Sequence, residues 1–177
     1  MPPKGAQLRS ESLAYLSKTS HSALIDPEMG NLLVSLDSDK LTEAQSANVR
    51  EIRRAYDKAT KLPTSLVEEM ARHKSNSLQI WQEARAESDF KKFLPALEKM
   101  LDLTCQAAEH YGYEENIYDA MLDIYEQGLT VARLDSLFAG LREEIVPLVK
   151  AIGESSNQPD ISFMEQASFP EEGQREF

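Results

Sequence analysis

The stretch Phe90-Lys91-Lys92-Phe93-Leu94-Pro95-Ala96-Leu97-Glu98-Lys99-Met100-Leu101-Asp102-Leu103-Thr104-Cys105-Gln106-Ala107-Ala108 decides the fold. Within it Phe90, Phe93, Leu94, Leu97, Leu101, Thr104 and Ala108 recur at steps of three and four. That spacing keeps one side of an α-helix apolar. The same period runs through Met29, Leu32, Leu33 and Leu36, and through Val49, Ile52, Tyr56 and Ala59. It returns in Leu66, Val67, Met70, Leu78 and Trp81, and in Ile117, Tyr118, Met121, Leu122 and Tyr125. Its longest run is Leu134, Phe138, Leu141, Ile145, Leu148 and Ile152. No stretch alternates cleanly with period two. The expectation is an all-α chain, an antiparallel bundle or set of hairpins of about six to eight helices with no sheet.

Helix ends are written in the same residues. Asp26 before Pro27 reads as an N-cap followed by proline at the first helical position. Thr42-x-x-Gln45 and Ser65-x-x-Glu68 fit capping boxes, and Thr130 is placed to cap the longest helix. Gly112, Gly128 and Gly153 follow periodic runs, where a left-handed residue costs glycine nothing. Lys61-Leu62-Pro63 separates the second and third stripes. A less regular first helix is expected from residue 7 to about residue 19. Pro95 predicts a short helix before it and a restart near it, because an interior proline removes a donor and clashes with the preceding turn. Pro147 predicts a kink in a helix that runs on to about residue 154.

With 177 residues, the chain has room for one domain with a buried core, or at most a domain and a small appendage. Gly and Pro, 7 and 8 residues, fall below average usage, against a turn-rich β fold. The net charge of −11 sets aside a generic nucleic-acid binder, since a polyanion repels such a surface. It also disfavours an anionic membrane, and no apolar run approaches a membrane span. The lone cysteine, Cys105, has no internal disulfide partner, so the chain reads as intracellular and cytoplasmic. From residue 151 onward six acids stand against the single base Arg175. There a loop is expected, then a short helix near Phe163 and a last one after Pro170.

Catalytic patterns are missing from the sequence. His21, His73 and His110 are far apart, and neither His-Glu-x-x-His nor Glu-x-x-His occurs. Glu69 and His73, four apart, read as a surface pair. Glu68-Glu69, Glu114-Glu115, Glu143-Glu144 and Glu171-Glu172 point away from each other on a helix and read as solvated faces. Cys105 reads as a helix residue at the edge of a core. Trp81 reads as a core anchor, and Tyr118 with Tyr125 as a packing seam. No phosphate-binding glycine loop is present.

One longer pattern carries more. It begins with Trp81-Gln82-Glu83-Ala84-Arg85, Ser88-Asp89-Phe90 and Phe93-Leu94-Pro95-Ala96-Leu97-Glu98. It continues through Gly112-Tyr113, Tyr118-Asp119-Ala120-Met121-Leu122-Asp123 and Tyr125-Glu126-Gln127-Gly128-Leu129-Thr130. It closes with Leu134-Asp135, Leu137-Phe138, Leu141 and Val146-Pro147-Leu148-Val149. This series resembles the N-terminal half of the Taq-type, thermostable zinc carboxypeptidases, the M32 metallopeptidases. Gln127 departs from it, standing where the family usually has proline.

The resemblance implies an almost wholly helical parent that removes single C-terminal residues from peptides with zinc or cobalt. It implies a long groove between two halves and a tendency to homodimerise. Met1-Pro2-Pro3-Lys4-Gly5-Ala6 with Arg9 resembles an internal stretch of the family. Phe169-Pro170 through Gln174 and Phe177 resembles the link toward the catalytic half. Residues 1–154 would then be groove wall and lid, and residues 155–177 an acidic loop and the start of that link. No family metal ligand or general base maps onto any position, so catalytic, metal and cofactor-binding residues are all expected to be none. The chain is expected to be an inactive fragment whose apolar faces are left uncovered, either exposed or buried in a dimer. The alternative is a stand-alone helical peptide- or protein-binding module that has lost the chemistry.

Overall fold

The structure is a computed structural model that describes residues 5–36, 40–166, 168 and 170–176. Expectations placed on Met1, Pro2, Pro3, Lys4, Phe169 and Phe177 concern residues outside that set. The elements run α1 (Ala6–Leu24), α2 (Pro27–Ser35), α3 (Glu43–Thr60), α4 (Thr64–Glu87) and α5 (Phe90–Tyr111). They continue as α6 (Asp119–Tyr125), α7 (Val131–Glu154), α8 (Ser162–Gln166) and α9 (Glu171–Arg175). No strand occurs among the described residues, and the all-α expectation holds. The chain forms two compact units, Met1–Thr130 and Val131–Phe177.

Local chemistry starts and stops these helices. Asp26 Oδ1 accepts from the Glu28 amide at 2.8 Å, with Pro27 at the first helical position of α2. Thr42 and Gln45 close the reciprocal box of α3. The second expected box fails. α4 begins at Thr64 with Pro63 as its cap, so Ser65 already lies in the first turn. Ser88, at φ 54°, turns the chain in the left-handed region, and Asp89 caps α5 through the Lys92 amide at 3.3 Å. This cap starts α5 at Phe90, and the helix runs unbroken through Pro95, contrary to the restart expected there. The donor lost at Pro95 would have bonded the carbonyl of Lys91, an exposed residue in the first turn. Gly112 and Gly128 take the positive φ their positions predict, but Gly153 lies inside α7.

In the first unit α1 and α5 flank α4, both antiparallel to it. His21, Lys18 and Glu11 of α1 meet Thr64, Glu68 and Arg72 of α4 in turn. On the other side Glu83, His73 and Glu69 meet Lys92, Ala96 and Lys99. The core is a cluster of Leu66, Leu103 and Ala107, with Leu62, Met70 and Tyr111 against it. Leu103 is fully buried, at 0% exposure. Along the α1–α4 seam the fully buried α1 residues are small, Ser10 and Ala14.

The buried side of α5 is not the stripe of large residues. Ala96, Leu103, Ala107 and Ala108 are buried, whereas Phe90, Leu94, Leu97 and Leu101 are exposed. Small residues let two backbones approach, and Leu103 fills the space they leave. Trp81 is 39% exposed rather than a core anchor, and Leu78 beside it is exposed too. Tyr118 and Tyr125 are likewise exposed, not a seam. Cys105 is exposed.

Helical geometry, about 100° per residue, gives the α4–α5 pair two unlike sides. Leu66, Ser77 and Ala84 form the line on α4 that faces α5. Glu69 and Glu83 fall to one side of that line, Leu78 and Trp81 to the other. In antiparallel helices equal offsets fall on the same side of the pair. Lys92 and Lys99 of α5 accordingly join Glu83 and Glu69. Phe90, Phe93, Leu97 and Leu101 share the side of Leu78 and Trp81.

In the second unit, α7 runs through Pro147 to Glu154 as expected and has no buried residue among those described. Phe138, Leu141, Ile145, Leu148 and Ile152 of its stripe are all exposed. Gln158 Nε2 then donates to the Ile152 and Ser155 carbonyls, turning the chain toward α8.

Candidate functional site

The charged side of α4 holds an open cleft of about 500 Å3, lined by Ser65, Glu68, Glu69, Arg72, His73 and Asn76. Each ionic group in it is already matched. Arg72 donates to Glu68 at 2.8 Å and to Glu11 at 3.2 Å, and Lys18 Nζ lies 3.2 Å from Glu68. Lys99 pairs with Glu69 at 2.9 Å. Hydrogen bonds from Arg72 and then Lys18 hold the Glu68 carboxyl below its usual range. Donating to Glu68 and then to Glu11 pushes Arg72 up, and the bond to Glu69 does the same for Lys99. Glu68 is therefore held in its ionised form and is not tuned as a proton donor.

His73 does not pair with Glu69, as its spacing suggested. Its Nε2 lies 2.8 Å from the Ala96 carbonyl and 3.1 Å from Ser77 Oγ, tying α4 to α5. His21 is buried. Its Nε2 donates to the Ala59 carbonyl at 3.0 Å, and its Nδ1 meets Thr64 Oγ1 at 3.1 Å. This histidine fastens α1 to the end of α3 and the start of α4 at once. His110 stands exposed near the end of α5. Among the described residues no group of three or more His, Cys, Asp and Glu is placed to hold a metal ion. The donor set does not fit a zinc site, because the three histidines lie apart and two are engaged in helix contacts.

A second polar cluster was not legible as such. Asp123 Oδ2 accepts from Lys58 Nζ at 2.7 Å and from Arg54 at 3.1 Å. Its Oδ1 accepts the Gly128 amide at 3.1 Å, and Arg54 also donates to its backbone carbonyl at 2.8 Å. Lys58 sits 4.9 Å from the Tyr111 ring centroid. The hydrogen bond from Lys58, then that from Gly128, holds the Asp123 carboxyl below its usual range. This residue locks the end of α6 and the turn at Gly128 onto α3. The basic residues four apart on α3 were the available signal, but their partner is 65 and more residues away. No helix of the described residues is long and apolar enough to cross a membrane.

The Ser77 hydroxyl beside His73 is buried and both groups are spent on the α4–α5 contact, as Asp123 is on the contact with α3. Carboxypeptidase 1 of Bacillus subtilis is 37% identical over 177 residues, covering 99% of this chain and 35% of that protein. Thermostable carboxypeptidase 1 of Thermus thermophilus is 34% identical over 194 residues, covering 100% of this chain and 37% of that protein. The solved structure described as "BsuCP Crystal Structure" superposes with a TM-score of 0.90 at 36% identity, over 99% of this chain and 36% of that one. The chain spans about a third of the length of the curated relatives it matches. The family described as Carboxypeptidase Taq (M32) metallopeptidase matches over residues 1–177, and the chain belongs to it.

Proposed function

We propose that this chain is a non-catalytic, helical N-terminal part of a metal-dependent carboxypeptidase, one that releases C-terminal residues from peptides. The observation that carries this is the match over all 177 residues to a family whose curated relatives are about three times as long. Residues 1–154 contribute groove wall and lid in this reading, and residues 155–177 lead toward the catalytic half. The zinc or cobalt of the parent enzyme is held outside this chain, as is the general base. The parent binds its peptide in the cytoplasm and works as a homodimer. Support for a structural role comes from the ionic groups of the α4 cleft and Asp123, which are spent on joining helices.

The test is direct. The purified chain, given zinc or cobalt and a C-terminally labelled peptide, is expected to release no residue. Hydrolysis that chelation abolishes would overturn the reading. An immunoblot of source cells against this chain is expected to show a band several-fold larger than 19.9 kDa. A band at that size would mean a genuine short protein.

A further inference from the structure

A single tight turn leads from the first compact unit into the second. The Leu129 amide donates to the Glu126 carbonyl at 3.1 Å, and Gly128, the third residue of the turn, has φ 75°. Gln127, the second, has a negative φ, because Ser88 alone among the described non-glycine residues has a positive one. A positive φ confined to the third residue defines a type II turn. Only Thr130 stands between this turn and Val131, where α7 and the second unit begin.

Proline is favoured at the second position of such a turn, since its ring presets φ. The site would accept one. Glu126, at φ −137° and ψ 110°, is extended, as the residue before a proline prefers. No hydrogen bond from the Gln127 amide is found among the described residues. With glutamine there, the turn is not preset covalently, and Asp123 holds it instead. Its Oδ1 accepts the Gly128 amide at 3.1 Å. Its Oδ2 is gripped by Lys58 at 2.7 Å and Arg54 at 3.1 Å, both from α3. Lys58 in turn lies against the Tyr111 ring of α5. One carboxylate thus ties the connector to the body of the first unit. The Asp123 side chain is 35% exposed, so water competes for each of these bonds, as it could not for a proline ring.

We propose that Asp123 is a releasable brace on the connector between the two units. With the brace closed, the second unit turns only about Leu129 and Thr130. With it open, the second unit turns about the whole of Glu126–Thr130. The proposal does not depend on the parent being a peptidase, and its test measures no activity.

The experiment uses the full chain carrying Cys105→Ser, with nitroxide labels at Glu98→Cys on α5 and Ala151→Cys near the far end of α7, both exposed positions. Distances are read by double electron–electron resonance, with labelled chains diluted into unlabelled ones so that only pairs within a chain count. Asp123→Ala is expected to widen the distance distribution about 1.5-fold, because the pivot grows from Leu129–Thr130 to Glu126–Thr130. Adding Gln127→Pro to Asp123→Ala is expected to return the width to that of the parent, and Gln127→Pro alone to leave it unchanged. A width that Asp123→Ala does not alter would overturn the brace. Widening that Gln127→Pro fails to reverse would overturn the assignment of the pivot. A second label pair, Glu98→Cys with Ile124→Cys, spans the first unit only. Its width is expected to stay the same in Asp123→Ala, and widening there would overturn the proposal by showing that α6 itself had come loose. The Tm of Gln127→Pro is expected to rise by about 1–4 °C. A fall would overturn the type II turn on which the proposal stands.

Discussion

α5 and α7 carry the two most regular apolar stripes in the chain, and each contains one proline. α5 buries four residues, and α7 buries none of those described. The four that α5 buries include three alanines and lie mostly off its large-residue stripe. Periodicity thus reports that a helix has an apolar side. It does not report whether that side is covered, or by what. Close contact between helix backbones selects small residues, so the side that packs first can be the less hydrophobic one.

The sharpest way to test the difference is Leu103→Ala. Leu103 is fully buried where α5 meets α4, and its loss is expected to cost about 2–5 kcal/mol of unfolding free energy, read by denaturant titration. A cost below 1 kcal/mol, about that of an average substitution, would mean the seam is loose. Ala14→Leu attacks the other seam. Ala14 has 0% exposure, and forcing a larger side chain between α1 and α4 is expected to cost about 1–3 kcal/mol. An unchanged midpoint would show that α1 is not docked in solution.

Asp123→Asn gives a smaller effect with a pH signature. Its side chain is 35% exposed, so solvent screening holds the expected cost to about 1 kcal/mol near neutral pH. The Asp123 pKa is lowered by Lys58, then Gly128, so the native state favours the ionised form. That stability is present above about pH 4, the ordinary carboxylate value, and is lost as pH falls through the lower folded value. The asparagine variant is expected to show a flatter acid limb, and a limb identical to wild type would refute the assignment. Leu141→Ala on α7 is expected to change stability by less than about 0.5 kcal/mol. A cost matching that of Leu103→Ala would erase the distinction between the two helices.

Much of the fold was legible because it is local. The caps at Asp26 and Thr42 and the positive-φ glycines Gly112 and Gly128 follow from a few adjacent residues. The short helices α8 and α9 were expected near Phe163 and after Pro170, and they are there. The misreadings had a common source in three-dimensional context. Pro95 by its own chemistry signals a break, but Asp89 starts α5 so close before it that the lost donor falls in the first turns. Trp81 lies in step with Leu78, but that stripe does not face the core, which α4 meets through Leu66, Ser77 and Ala84. The pairing of His73 with Ala96, or of Asp123 with Lys58, depends on which helices become neighbours. The family pattern from Trp81 to Val149 identified the chain while saying nothing of these contacts.

The order in which the helices meet along the chain bears on how fast the molecule assembles. The α4–α5 contacts span short loops, as His73 and Ala96 are 23 residues apart. Those joining α1 to α4 span 43 residues at His21–Thr64 and 61 at Glu11–Arg72. Closing a longer loop costs more entropy before any contact repays it. The α4–α5 hairpin is therefore expected to pair in the folding transition state, and α1 to arrive after it. Ala96→Gly should then slow folding, while Ala14→Gly should chiefly speed unfolding. The α1 contacts, the His21 clasp among them, would close after that hairpin and act as a brake on unfolding, with little influence on the rate at which the native state is reached.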